Sequence, residues 1–149
     1  MNNVSYIDNV EQWKKEFIFS HSTAIRFSET DMFGHMNNVS PFIYFEEARI
    51  NFLKEVSLFT SIHDITGVPV VADLQCDFHK QLYFDQTIHT YVKAVHVGNT
   101  SFDLHYMVLD EKEEVVLTGR GRIVHVNRET GKPLALSEEM KGKLNAYTA

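Results

Sequence analysis

Residues 28–49 read SETDMFGHMNNVSPFIYFEEAR, and this stretch decides the fold. Asp31, Gly34, His35, Asn37 and Asn38 fall within eight residues, and an apolar helical pattern follows at once. The pattern places a long helix over residues 38–56. At ~100° per residue, Val39, Phe42, Ile43, Ile50, Leu53 and Val56 share one broad face. Asn37 or Asn38 can cap the start, and Pro41 then falls in the first turn, where its missing N–H is harmless. Delivering a chain into a helix requires only the cap. The acid, the glycine and the histidine ahead of it require another explanation.

Outward from this junction the chain is orderly. Residues 9–15 predict a short helix and residues 17–27 a first strand, with Phe17, Phe19, Ile25 and Phe27 as its apolar members. A loop is expected at 57–67. Four strand-like runs follow: VVADLQCDFHK, with Val70, Ala72, Leu74, Cys76 and Phe78 alternating; TIHTYVKAVHV; SFDLHYMVL, with Phe102, Leu104, Tyr106 and Val108 alternating; and VVLTGRGRIVHVN. The turns GNT and DEKEE separate the last three. LSEEMKGKL predicts a closing helix capped by Ser137. One strand, one long helix and four strands in hairpin succession predict an α+β fold, an antiparallel sheet wrapped around one helix. The breadth of the apolar helix face suggests burial against the sheet on one side and against a second subunit on another.

The composition fits one domain. The chain has 149 residues, 44% of them hydrophobic, with 3 prolines and 7 glycines, which disfavours a disordered or collagen-like chain. A net charge of −6 argues against a nucleic-acid partner, since no basic field attracts phosphates. The single cysteine, Cys76, forms no internal disulfide and fits a reducing compartment. Residues 1–17 lack the basic start and apolar run of a signal peptide. No run of about 20 apolar residues suggests a membrane span. A cytoplasmic protein is expected.

Asp31 has two readings. It is a loop aspartate that bonds its own backbone, or it is a general base or nucleophile beside a helix start. With Asn37 as cap, the N–H of Asn38 is among the donors that lack a helical acceptor. Those donors and the helix dipole favour negative charge, so a carbonyl placed there is polarised and its oxyanion stabilised. Gly34 allows close approach or positive φ. Carboxylate and oxyanion hole together are what acyl transfer needs. His35 contacts substrate, holds the loop or caps backbone. Glu46 falls within the apolar face and needs a partner, which Arg49, three residues on, supplies as a structural ion pair. Glu47 is a solvated helix residue or a second acid facing a cleft. The remaining histidines, His89, His96, His105 and His125 among them, are scattered, and no metal-ligand spacing is seen. GxGxxG, Walker and GxSxG patterns are absent. Cys76 lies on an apolar alternation, which favours packing. Arg120 and Arg122 share a strand face that meets phosphates or solvent.

The combination D-x-x-G-H-x-N-N with F-E-E-A-R resembles the acyl-CoA thioesterases of the hotdog-fold superfamily, in the 4-hydroxybenzoyl-CoA thioesterase-like branch. The resemblance continues through LQCDFHKQLYFDQTIHTYVKAVHVGNTSF to NRETGKPLAL, covering residues 17–136. It implies a hotdog domain over residues 17–149, with a five-stranded antiparallel sheet wrapped around the long central helix, and an extension at residues 1–16. It implies hydrolysis of a coenzyme A thioester, with no cofactor beyond the CoA of the substrate and no metal. The unit it implies is a homodimer with sites at the subunit interface, with homotetramers common. Asp31 matches the family's catalytic acid, and Asn38 the residue whose backbone N–H polarises the carbonyl. Tyr44 and Phe45 belong to the pocket or the interface. Plant acyl-carrier-protein thioesterases share a similar segment, in which His35 and Glu47 match supporting groups, but this chain has Phe33 where theirs has asparagine. Hotdog enoyl-CoA hydratases space acid and histidine five apart; here Asp31 and His35 are four apart. A non-enzymatic acyl-CoA sensor is the alternative from another class.

Overall fold

The structure, a computed structural model, describes residues 1–59 and 66–148. Its elements are α1 (Val10–Lys15), β1 (Phe19–Ala24), a turn of 3-10 helix (Phe27–Glu29), α2 (Ser40–Glu55), β2 (Gly67–Phe78), β3 (Thr87–Val95), β4 (Ser101–Leu109), β5 (Val115–Asn127) and α3 (Glu138–Ala146). The strands form one sheet in the order β1-β3-β4-β5-β2, and every neighbouring pair is antiparallel. Helix α2 lies against β1, β2 and β3. This is the expected α+β class, but the four later strands are not all in hairpin succession: β3, β4 and β5 are, whereas β2 pairs with β5 across the sheet rather than with β3. Most of the loop expected at 57–67 falls on residues 60–65, outside the described residues.

Strand β1 ends three residues earlier than the pattern suggested. Beyond Ala24 the chain turns into the 3-10 helix, and Phe27 is exposed against the ring of Phe84 rather than facing the core. Helix α2 starts two residues later than expected, with Val39 in the cap position, and Asn37 supports this entry from two residues ahead. Its Oδ1 accepts the N–H groups of Val39 and Ser40 at 3.0 and 2.9 Å. At the far end of the chain Ser137 caps α3 as expected, accepting from the Met140 N–H at 3.1 Å.

The buried face of α2 overlaps only in part with the one the periodicity singled out: Leu53 and Val56 are buried and Phe42 packs against the core, but the other three members are exposed. Tyr44, Phe45, Ala48, Arg49, Phe52 and Leu53 face the sheet, while Val39 is 62%, Ile43 43% and Ile50 47% exposed. The helix carries two apolar surfaces, and shape decides between them. Phe45 stacks on Tyr106 with centroids 4.4 Å apart. It fits because β5 has Gly119 opposite, where an added Cβ would lie 2.4 Å from the Phe45 ring. Aromatic bulk against a glycine gap packs densely. The Val39-Ile43-Ile50 stripe has no such complement on the sheet.

Both faces of β4 are buried. Phe102, Leu104, Tyr106 and Val108 join the core under α2. On the opposite face Met107 packs with Val4, Ile7 and Trp13, flanked by Tyr91 and Leu109. Residues 1–17 thus cover the outer side of the sheet. Trp13 Nε1 donates to His105 Nδ1 at 2.9 Å. The buried Lys93 ammonium donates to the Trp13 carbonyl at 3.1 Å and pairs with Glu16. Strand β2, by contrast, is a sheet edge. Its expected alternation breaks at a bulge between Val71 and Asp73, and Val70, Val71 and Phe78 are exposed.

Candidate active site

The loop from Asp31 to His35 folds around a carboxylate. Asp31 Oδ1 accepts the N–H groups of Phe33 and His35 at 2.9 and 3.2 Å. The Asp31 N–H donates to the His35 carbonyl at 2.8 Å, and the Gly34 N–H to the Asp31 carbonyl at 3.1 Å. Gly34 sits at φ +81°, a conformation that glycine takes without steric cost. The loop-aspartate reading therefore holds for one oxygen. The other, Oδ2, has no protein partner among the described residues, so the side chain both builds its turn and keeps one oxygen for other work.

Six residues on, the helix start supplies the opposite polarity. The Asn37 side chain is committed to Val39 and Ser40, and the Asn37 N–H donates to the Glu29 carbonyl at 2.8 Å. The Asn38 N–H has no acceptor among the described residues. Asp31, His35, Met36 and Asn38 line an open cleft of about 500 Å3 together with Phe78, His79, Lys80 and Leu82. Sequence reasoning put the acid and the helix-start donor together, and the structure places both on one cleft.

His35 also reaches the cleft, but its ring makes an edge contact with Tyr83, centroids 5.2 Å apart; its backbone N–H is what bonds Asp31. Glu47 lies elsewhere, 3.4 Å from His21 Nε2, and is not on the Asp31 cleft of the same chain. Glu46 and Arg49 do approach, at 3.9 Å, but the reason given for their pairing needs correction. The Glu46 side chain is 65% exposed, because the sheet buries a different helix face. The nearer partner of the buried Arg49 is the Tyr106 hydroxyl, to which it donates at 3.3 Å.

The residues sequence reasoning missed lie around the same cleft. His79 accepts the Asn2 N–H on Nδ1 at 3.2 Å, so its Nε2 carries the proton and donates to Thr118 Oγ1 at 2.8 Å. Burial lowers its pKa. Lys80 is held by Asp110 at 3.4 Å and by Glu114. Glu29, under the Asp31 loop, is bonded to Arg26 and Tyr44. An acid two residues before Asp31 and a tyrosine at the second turn of the helix were visible signals, but nothing in periodicity links them. Arg120 and Arg122 are engaged with Asp73 and Asp103 at 2.8–2.9 Å. The Cys76 thiol is pushed up to about 12 by burial, which suits packing. Among the described residues no three His, Cys, Asp or Glu side chains are grouped to hold a metal, and no helix is long and apolar enough to cross a membrane.

The cleft thus carries a carboxylate oxygen and a backbone N–H near the helix start, each without a partner among the described residues. Residues 25–144 match the thioesterase-like superfamily, and the chain belongs to that superfamily, which places it among the thioester hydrolases. It is 41% identical over 141 residues to the uncharacterized protein YsmA of Bacillus subtilis (strain 168), spanning 94% of this chain and 95% of that one. Among solved structures it is similar to SAV2348 of Staphylococcus aureus in complex with CoA, with a TM-score of 0.81 and 14% identity over 89% of this chain and 84% of that one. It is also similar to a DHNA-CoA thioesterase from Staphylococcus aureus, with a TM-score of 0.78 and 19% identity over 85% and 90%. These likenesses establish the hotdog fold.

Proposed function

We propose that this chain hydrolyses acyl-CoA thioesters to a free carboxylic acid and CoA, with Asp31 as base or nucleophile and the Asn38 N–H as the oxyanion donor. The observation that carries this is the pairing, on one cleft, of an Asp31 oxygen without a protein partner and an Asn38 N–H without an acceptor. The thioester carbonyl oxygen accepts from Asn38, where the helix dipole and the open donor favour the growing negative charge. Asp31 then takes a proton from the attacking water, or itself attacks the carbonyl carbon. Collapse of the tetrahedral intermediate expels the CoA thiolate, which takes up a proton; with water as nucleophile this releases the acid directly, and with Asp31 as nucleophile water then hydrolyses the acyl–Asp31 anhydride to the acid and free Asp31. The CoA-bound relative of the same fold supports CoA as the carrier. No metal enters this scheme, and the cytoplasm is its setting. His35 lines the cleft as a supporting group.

The unit that works is a homodimer. The Val39-Ile43-Ile50 stripe of α2 is exposed, and the 12-residue edge strand β2 has no strand on its outer side among the described residues. Phe78, at the end of β2, also lines the cleft. Unpaired strand edges and apolar stripes invite a partner, and a second copy of this chain covers both while walling the site.

Thiol release across short, medium, long and aromatic acyl-CoAs, with and without chelator, tests the reaction. Turnover that survives chelation is the expected result. Tight binding of acyl-CoA with no turnover of any thioester would replace the enzyme with a sensor. Water addition to enoyl-CoA would point to a hydratase, and turnover only of acyl groups on carrier protein would change the carrier.

A further inference from the structure

Three carboxylates are buried among the described residues: Glu29, Asp103 and Asp110. Two have evident structural work. Asp110 closes the β4–β5 turn by accepting the N–H groups of Lys112 and Glu114, and Asp103 pairs with Arg122. Glu29, only 3% exposed, is the one beside the cleft. Burying a charge is costly unless every lone pair is answered, and here they are. Oε1 accepts the Arg26 N–H at 2.9 Å and the Tyr44 hydroxyl at 3.0 Å. Oε2 accepts Arg26 Nε at 3.1 Å and Nη2 at 2.7 Å. The same residue's backbone carbonyl accepts the Asn37 N–H at 2.8 Å and the Ser40 hydroxyl at 3.4 Å.

These contacts span the two halves of the site. Asp31 is two residues after Glu29, and Asn38 is next to Asn37. Tyr44, itself buried, lies one turn past Ser40 on α2. The side chain ties the residue to the helix body and to the preceding turn; the main chain ties it to the helix start. We propose that Glu29 is the positioning residue of this site, a buried clamp that sets the Asp31 carboxylate against the Asn38 N–H. The inference rests on the thioesterase reading above and extends it to a residue that does not touch substrate. The clamp stays ionised: burial pushes the Glu29 carboxyl upward, but the bonds from Arg26 and Tyr44 outweigh it and hold the pKa below its ordinary value.

Glu29→Gln tests it. An amide has one acceptor oxygen, so its NH2 must face the Arg26 guanidinium or the Arg26 N–H and Tyr44 pair, donor against donor. Tyr44→Phe removes a single bond and keeps the ring. Misplacing reacting groups by a fraction of an ångström lowers the rate without removing any of them. Folded Glu29→Gln is therefore expected to lose roughly tenfold or more in kcat, with KM within about twofold. Tyr44→Phe should lose less, and the double variant no more than Glu29→Gln alone, because both act through one contact. Amide hydrogen exchange at Asn37, read without substrate, should quicken in Glu29→Gln, and in Tyr44→Phe to a smaller degree.

Folded Glu29→Gln with wild-type kcat and wild-type Asn37 exchange would overturn the proposal. So would additive losses in the double variant. Should Glu29→Gln fail to fold, Tyr44→Phe carries the test, and unchanged kcat and Asn37 exchange there would overturn it. Wild-type protein inactive on every thioester would sink the thioesterase reading and with it the catalytic meaning of the clamp, while the exchange result would still decide whether Glu29 holds the helix start.

Discussion

Replacing Asp31 by Asn separates its two jobs. Oδ1 accepts two loop N–H groups, and an amide oxygen in the same place accepts both. The amide NH2 then falls where Oδ2 has no protein partner, so nothing in the loop is set against it. The turn loses only the extra strength of a charged acceptor, at most about 1 kcal/mol. The chemistry loses its base or nucleophile. General-base contributions run at roughly 10²- to 10⁴-fold, which at about 1.4 kcal/mol per decade is roughly 3–5 kcal/mol in the barrier. The barrier change should therefore exceed the stability change several-fold. Thiol release at saturating acyl-CoA reads the first and thermal melting the second. Asp31→Ala should lose as much kcat and more stability, because the turn also goes. A folded Asp31→Asn variant within about threefold of wild-type kcat would refute the assignment. A larger loss in Glu47→Gln would move the catalytic acid onto α2.

Other outcomes follow from the packing. Burial holds the His105 pKa down to about 4, with the neutral ring accepting from Trp13. An unfolded histidine titrates near 6.5, so the unfolded chain binds the extra proton first as pH falls. Stability is complete above about 6.5 and declines toward pH 4, by roughly 3 kcal/mol in all; melting curves across this window should show the slope, and His105→Gln should flatten it. Gly119→Ala drives a Cβ into the Phe45 ring and should cost about 1–3 kcal/mol or more in urea unfolding. Charge on the bare stripe of α2, as in Ile43→Glu with Ile50→Glu, should leave a 17.2 kDa species in sedimentation equilibrium where the wild type sediments as a dimer; a wild type that is itself monomeric at micromolar concentration would remove the dimer.

The fold was legible where each residue faces one environment. The elements in chain order, the long helix, the Ser137 cap and the turns joining β3, β4 and β5 came from period and turn chemistry alone, but the pairing of β2 with β5 did not, because it joins strands far apart in sequence. The failures have a common physical cause, which is two environments on one element. Helix α2 has aromatic residues on one side and aliphatic residues on another, and both satisfy a helical period. Only the gap at Gly119 selects Phe45 for the core, and that gap lies 74 positions away in sequence. Strand β4 alternates correctly, yet its second face, with Met107 and His105, is covered by residues from the other end of the chain. The bulge in β2 re-aims its side chains within one residue, which no alternation count anticipates.

The site divides in the same way. Asp31 and the helix start were readable because they are neighbours in sequence and their chemistry is local: a carboxylate, a glycine at positive φ and a cap. Glu47 was left as a solvated helix residue or a cleft acid, because helical angle gives a direction without naming the neighbour, which is His21 of β1. The other lining segment, Phe78 to Leu82, escaped because it is far away in sequence and joins the site only through folding, as in the Met36 N–H bond to the Leu82 carbonyl. Glu29 escaped for a subtler reason. An acid at the end of a turn looks like a solvated surface group until the tyrosine 15 residues later closes over it. Burial turns an ordinary glutamate into a fixed point, and a fixed point between a carboxylate and a helix start is what differential stabilisation of a transition state requires. A loop aspartate beside an unrestrained helix end would bind a thioester in many poses and cleave it in few of them.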